Sequence, residues 1–256
     1  MRRFFTDEPI TDDSIYLSET ESHHVRNVLR MRCGEKIIVC DYAGAEYKGV
    51  LESLEGRCRV KISSLLSSVA EPELKLILCQ CLPKGDKMEL IIQKCTELGI
   101  SRIIPVSSIR CVSRPEGKDA EKKAARWQKI AQQAAKQCGR AVVPHISHLT
   151  SLKGLPEQGR RLFAYELEDS VSLAEQDLRN ERELFLLIGP EGGFESSEAE
   201  FLKAKGWEAV GLGPRILRTE TAAIAGTAVI MALSDCMNCK KTVSYTHLTL
   251  PTICSV

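Results

Sequence analysis

The feature that most restricts the fold of this chain is the alternation, from Leu74 onward, of short apolar runs with amphipathic stretches that stop at glycine. Residues 74–82, Leu-Lys-Leu-Ile-Leu-Cys-Gln-Cys-Leu, read as a strand. Residues 86–98 read as a helix ended by Gly99, 102–106 as a strand, and about 119–138 as a helix ended by Gly139. Further strands follow at 161–165, 183–188 and 208–212, with Ser197-Glu-Ala-Glu200 as a capping box and Gly206 as a helix stop between the last two. Strands that are apolar throughout are covered on both faces, so this order predicts an α/β fold with a mainly parallel sheet between helices.

Two loops in this region carry more than a turn requires. Leu187-Ile-Gly-Pro-Glu-Gly-Gly-Phe194 and Gly211-Leu-Gly-Pro-Arg-Ile-Leu-Arg-Thr-Glu-Thr-Ala222 each follow a strand and lead into a helix. Their glycines allow close backbone approach and unusual dihedrals, while Pro190 and Pro214 fix φ and remove a donor. A Pro-Glu-Gly-Gly turn alone is plain punctuation. The second loop, however, crowds Arg215, Arg218, Thr219, Glu220 and Thr221 beside Leu212, Ile216 and Leu217, a mixture suited to gripping a ligand. The two loops are expected to meet at the carboxyl ends of neighbouring parallel strands, where open α/β sheets bind ligands.

Residues up to about 66 follow another pattern. Short strands at 35–41, 46–51 and 57–62, with turns at Ala43-Gly44 and Glu55-Gly56, predict a small β-barrel, and residues 67–73 a linker. The composition, 43% hydrophobic and 27% charged, is that of an ordinary globular protein. No apolar run approaches a membrane span and the N-terminus lacks the apolar core of a signal peptide, so a cytoplasmic protein is expected, with no membrane partner. Its 11 cysteines show no disulfide framework and read as reduced core residues. Cys236-Met-Asn-Cys239 lacks a matching second pair, and the strand positions of Cys79 and Cys81 fit core packing better than metal or redox chemistry.

A formal net charge of +1 conceals segregation, because residues 75–145 hold 14 Lys/Arg against 6 Asp/Glu. Arg126, Lys129, Gln133, Lys136 and Arg140 recur at helical spacing opposite Trp127, Ile130, Ala131 and Ala134. A solvated charged face is the bland explanation for such a stripe. The helix itself has no acidic partner for these cations after Glu121, which favours a phosphate-facing surface. The last helix, 220–233, is apolar nearly all round and rich in small residues, so it needs burial on more than one side, with close approach at Ala223, Gly226 and Thr227.

The two glycine loops resemble the cofactor loops of the knotted SPOUT-type RNA methyltransferases, and more closely those of the 16S ribosomal RNA uridine-N3 methyltransferases. Further likeness lies in His23-His-Val-Arg-Asn-Val-Leu-Arg30, in Lys84-Gly-Asp-Lys-Met-Glu-Leu-Ile-Ile-Gln-Lys-Cys-Thr-Glu-Leu-Gly99 and in Arg126-Trp-Gln-Lys-Ile-Ala-Gln-Gln-Ala-Ala-Lys-Gln137. Together these segments span roughly the first 236 residues in family order.

The resemblance implies a PUA-like RNA-binding β-barrel over 1–66 and a methyltransferase domain with a trefoil knot over 74–238. It also implies 16S ribosomal RNA as substrate, S-adenosyl-L-methionine as methyl donor, and a homodimer built on the last helix. Leu187, Gly189, Glu191, Gly192, Leu212, Gly213, Arg215, Ile216 and Leu217 would hold the cofactor. Arg2, Arg3, His24, Arg26 and Arg30 would join Arg126, Lys129, Lys136 and Arg140 in facing RNA. The histidines could instead simply flank a helix that closes the barrel.

A methyl on a cationic sulfur brings its own electrophile, so the site must position the acceptor and help it lose a proton. Arg218 is the candidate that holds a uracil oxygen as charge develops. Glu220 and Glu191 are both open as proton acceptor. A noncatalytic RNA-binding protein of ribosome assembly is the competing reading, opposed by the intact loops. A nucleotide hydrolase is disfavoured because no Gly-x-x-x-x-Gly-Lys-Ser/Thr segment occurs. The tail from about residue 243 has no helical period and resembles translated adapter sequence, so His247 and Cys254 carry no functional argument.

Overall fold

Two sheets with separate cores make up the computed structural model, which describes residues 1–6, 10, 13–41, 44–66, 71–168 and 170–237. Residues 67–70 of the expected linker, Ala43, Cys239 and the tail lie outside the described residues.

The N-terminal sheet has the order β1 (Arg2–Phe5), β3 (Lys36–Cys40), β4 (Glu46–Ser53), β5 (Arg59–Leu66) and β2 (Ser14–Tyr16). β1 runs parallel to β3 and the other pairs are antiparallel. Register shifts at Lys48/Gly49 and Leu51/Ser53 let the long β4–β5 pair bend, and the sheet curls around Phe4, Leu17, Val25, Ile37, Val39, Leu51 and Val60. A short helix, α1 (Glu19–His23), starts where the Ser18 hydroxyl accepts from the Glu21 N–H at 3.2 Å. It continues through a wider turn, His24–Val28, which drives Val25 into the core. β1 and β2 were not foreseen, because four and three residues are too few to show a period.

The second sheet is wholly parallel. Its elements are β6 (Lys75–Cys81), α2 (Lys87–Glu97), β7 (Arg102–Ser107), α3 (Gly117–Cys138), β8 (His145–Ile146), β9 (Thr150–Ser151), β10 (Arg160–Ala164), β11 (Glu183–Ile188), α4 (Ser196–Ala204), β12 (Glu208–Val210) and α5 (Thr219–Leu233). Strand order is β12-β10-β11-β6-β7-β8, with β9 also on β7. Leu76, Leu78, Leu184, Leu186 and Leu187 are fully buried, each contributing about 1.5–3 kcal/mol of apolar burial. Cys79 and Cys81 are core residues as expected, and burial pushes both thiols up.

Three expectations need correction. β10 lies between β11 and β12, so the strands that carry the two loops are not neighbours; strand order follows tertiary packing, which local periodicity does not encode. The capping box is Glu195 with Glu198 rather than Ser197 with Glu200, because the Glu198 carboxylate accepts from the Glu195 N–H at 3.0 Å. The cationic stripe of α3 is divided among partners supplied by other elements. Arg126 pairs with Glu89 of α2 at 2.7 Å. Lys136 pairs with the buried Glu21 and lies over the Phe4 ring, joining α3 to the N-terminal sheet. Arg140 is 4% exposed and binds Glu71 at 2.7 Å and the Thr96 and Ile100 carbonyls at 3.1 and 2.7 Å. Of the four stripe cations, Lys129 is the exposed one without a side-chain partner among the described residues.

Candidate active site

The carboxyl ends of β6 and β11, with the segment from β12 into α5, converge on one place. Gln80, fully buried near the end of β6, donates from Nε2 to the Thr219 hydroxyl at 3.0 Å, and Thr219 donates in turn to the Gly189 carbonyl at 2.7 Å. One side chain at the start of α5 thus ties the second loop to the first, which is how loops on non-adjacent strands meet. The Gln80 Oε1 is buried with no partner among the described residues, an unused acceptor beside the loops.

Charge is organised around Lys87, the first residue of α2. Its ammonium lies 2.8 Å from Glu191 of the first loop and 3.5 Å from Glu220 in the first turn of α5. The Lys84 N–H adds a bond to the same Glu191 oxygen at 3.0 Å. Burial pushes the Glu191 carboxyl up, but Lys87 and the backbone donors outweigh it and hold the group below the ordinary carboxylate range. Lys87 is raised chiefly by its bond to Glu191.

A third brace comes from the turn after β7. Arg110 donates to the Gly192 carbonyl at 2.5 Å and to Glu195 at 2.8 Å, while the Ile109 N–H reaches the buried Glu198 at 2.8 Å. Backbone approach is equally tight on the other side, where Gly211 bridges Ser172 in parallel and a Cβ on it would stand 2.6 Å from the Glu168 carbonyl. Only Gly193 and Gly213 of the five loop glycines take positive φ, 67° and 99°.

The expected cofactor residues fall into two groups. Leu187 is fully buried and Leu212 and Leu217 are half-buried on the core, so they form a wall. Ile216 is 91% exposed, and Arg215 and Arg218 are exposed without a side-chain partner among the described residues. Arg218 therefore does not brace Glu191 or Glu220; Lys87 does that.

Of the expected RNA residues on the N-terminal sheet, Arg30 and Arg2 are exposed and His24 is half-buried. Arg3 is spent on Glu46 and Cys40, and Arg26 on the Leu54 and Gly56 carbonyls, so these two fasten the sheet rather than face outward.

Lys87, Arg110 and Gln80 were not singled out from the sequence. Gln80 did carry a signal, as a lone amide in an apolar strand. Lys87 carried another, since a cation in a first helical turn opposes the helix dipole.

The parallel sheet with its two carboxyl-end loops tied through Thr219, joined to a curled β-domain, matches the RNA methyltransferases. An RNA methyltransferase domain model matches residues 70–231 and an RNA methyltransferase PUA domain model matches 17–63. The chain belongs to the family of the ribosomal RNA small subunit methyltransferase E. It is 36% identical over 248 residues to the Bacillus subtilis member, covering 90% of this chain and 96% of the relative. The Mesomycoplasma hyopneumoniae member is 30% identical over 229 residues, covering 88% and 96%. The crystal structure of the Neisseria gonorrhoeae enzyme bound to S-adenosyl methionine is 32% identical, with a TM-score of 0.81 over 91% of this chain and 98% of that one.

Proposed function

We propose that this chain transfers a methyl group from S-adenosyl-L-methionine to N3 of a specific uridine in 16S ribosomal RNA of the small subunit. The observation that carries this reading is the joining of the two loops through Gln80, Thr219 and Gly189 on a chain that belongs to this family. The site fits the donor. Leu187, Leu212, Leu217 and exposed Ile216 offer an apolar wall, the loop backbones from Gly189 to Gly192 and around Gly213 offer polar contacts, and the Gln80 Oε1 lacks a donor. The bound donor would supply a methyl carbon on cationic sulfur.

The protein's part is alignment and charge. Arg218, exposed and without a side-chain partner among the described residues, would present its planar guanidinium to a uracil oxygen and hold the negative charge that grows as N3 loses its proton. Glu220 and Glu191 are the carboxylates within reach of the same site. Arg2, Arg30, Arg126 and Lys129 are the exposed cations offered to the RNA backbone.

The same reading includes a homodimer and a trefoil knot. Supporting the dimer, α5 leaves Thr221 and Ala232 exposed and Ala225 and Ala228 half-buried along one face, while Ala223, Gly226 and Thr227 are buried in their own chain. The knot rests on the family alone; here the segment around Ser172 forms a parallel bridge with Gly211, Gly211 N–H donating to Val171 O at 2.8 Å and Leu173 N–H to Gly211 O at 3.0 Å, which extends the pairing of β10 with β12. A cytoplasmic setting accords with nine free cysteines among the described residues, where no helix is long and apolar enough to cross a membrane. Mass spectrometry of 16S RNA from cells lacking and regaining this protein tests the function. N3-methyluridine should vanish and return; its persistence without the protein would refute the reading.

A further inference from the structure

Resting on the proposed reaction, the geometry points to a division of labour that the two candidate carboxylates leave open: we infer that Glu220 takes the N3 proton, that Glu191 is a brace, and that Lys87 is the positioning residue that sets the two apart. Lys87 gains nothing for its own helix, because an ammonium in the first turn of α2 opposes the N-terminal dipole. It reaches instead to two carboxylates on two different loops, at 2.8 and 3.5 Å.

One ammonium shared by two carboxylates leaves one negative charge unmatched, and hydrogen bonding decides where it sits. Glu191 Oε1 accepts from both the Lys87 ammonium and the Lys84 N–H, so it is committed. Glu220 Oε2 is buried, and its one donor among the described residues is the same ammonium at the longer distance of 3.5 Å. A shielded carboxylate oxygen served by one long contact is under-satisfied, and such atoms persist where a ligand supplies a further partner. Glu220, only 14% exposed, also stands in the first turn of α5, where the helix dipole favours its anion.

The charged groups around it are few. Lys87 faces it from α2, Glu191 belongs to the loop after β11, and Arg218 lies two residues before it in its own segment. β6 contributes the neutral Gln80, and the turn at 173–175 meets α5 through Leu173 at Gly226, well along the helix.

The chemistry closes on these groups. The N3–H bond breaks and its proton passes to the Glu220 carboxylate, the electron pair staying on nitrogen. That pair forms the new bond to the methyl carbon, and the carbon–sulfur pair returns to sulfur. The Glu220 carboxyl then gives its proton to water, and Lys87 holds Glu191 in place throughout.

The test uses the full chain with 16S RNA in single-turnover methylation, with calorimetric titration of S-adenosylmethionine and melting of the unliganded protein run on each variant. Glu220→Gln should lower the rate by about a hundredfold or more, the scale of a lost general base, and the remaining rate should rise with hydroxide. Lys87→Met should lower the rate at saturating cofactor by about tenfold or more, and Lys87→Arg should recover most of it. Glu191→Gln should weaken cofactor binding and lower the melting temperature without a hydroxide-dependent rate. The inference is overturned if Glu191→Gln, not Glu220→Gln, makes the rate follow hydroxide, or if Lys87→Met lowers only cofactor affinity and melting temperature. An unmodified protein that methylates another atom, or none, would instead remove the proposed reaction itself.

Discussion

Replacing Arg140 separates a structural cation from an RNA-binding one. Its guanidinium holds Glu71 through Nη2 at 2.7 Å and Nε at 3.2 Å, and the Thr96 and Ile100 carbonyls through Nη1. Removing one partner of a buried ion pair costs about 3–5 kcal/mol. Arg140→Ala belongs at the low end, because Glu71 keeps the Ala141 and Val142 N–H donors at 2.9 and 3.0 Å, and the Thr96 carbonyl keeps the Gly99 N–H at 3.1 Å. A loss of about 3 kcal/mol lowers Tm by roughly 6–12 °C at the sensitivity of a protein this size. Calorimetry reads that shift. RNA binding measured at several salt concentrations below the new transition should keep its affinity and its salt slope. A phosphate-binding arginine would behave in the opposite way, leaving Tm alone and reducing the log–log slope by about 0.7–0.9. That second pattern would refute the structural assignment.

The α3 stripe should divide elsewhere too: Lys129→Glu weakens RNA binding in a salt-dependent way with Tm unchanged, whereas Lys136→Glu sets like charges against Glu21 and lowers Tm, both read by filter binding and melting. Arg218→Lys keeps the charge but loses the forked geometry, so the maximal methylation rate falls about a hundredfold while calorimetric cofactor affinity changes little. Equal losses of rate and affinity would make Arg218 a cofactor residue. Gly226→Leu destabilises the folded chain by about 1–3 kcal/mol, because even a Cβ there stands 2.9 Å from Leu186. Ala228→Leu, on the face that α5 leaves open, disrupts the dimer instead, and light scattering that finds an active monomer in the unmodified protein would remove the dimer.

How much of this was legible follows from the range over which each signal acts. β11 runs over 183–188 as its apolar run indicates, and α2 and α3 end at Gly99 and Gly139, where φ is 103° and 83°. Those signals are local: burial on both faces needs an unbroken apolar run, and a left-handed C-terminus needs glycine. Strand order was beyond reach, since nothing within 208–210 records that β12 pairs with β10 rather than β11. The site divides in the same way. Glycine loops and their arginines were visible as composition, whereas Lys87 matters through carboxylates about 104 and 133 positions away, a relation fixed only by the packing of α2 against α5.

The cations of α3 show why charge patterning misleads at this point. Helical spacing places Arg126, Lys129, Lys136 and Arg140 on one stripe, and the absence of acidic residues along the helix favours an external polyanion. That inference assumes that a stripe has a single environment. A 22-residue helix is about 33 Å long, enough to pass several different neighbours. Its N-terminal half lies by α2 and meets Glu89, its C-terminal turns meet the N-terminal sheet at Glu21, and Arg140, just beyond its end, turns into the interior toward Glu71. The acidic partners come from elements that are distant in sequence, two of them before the methyltransferase sheet begins. Two of the cations therefore fasten the N-terminal sheet and its following segment to α3, and this fixes where an RNA held on that sheet would stand relative to the two loops. Charge reversal at Glu21 together with Lys136 should restore the melting temperature lost by either single change, whereas two independent surface charges would give additive losses.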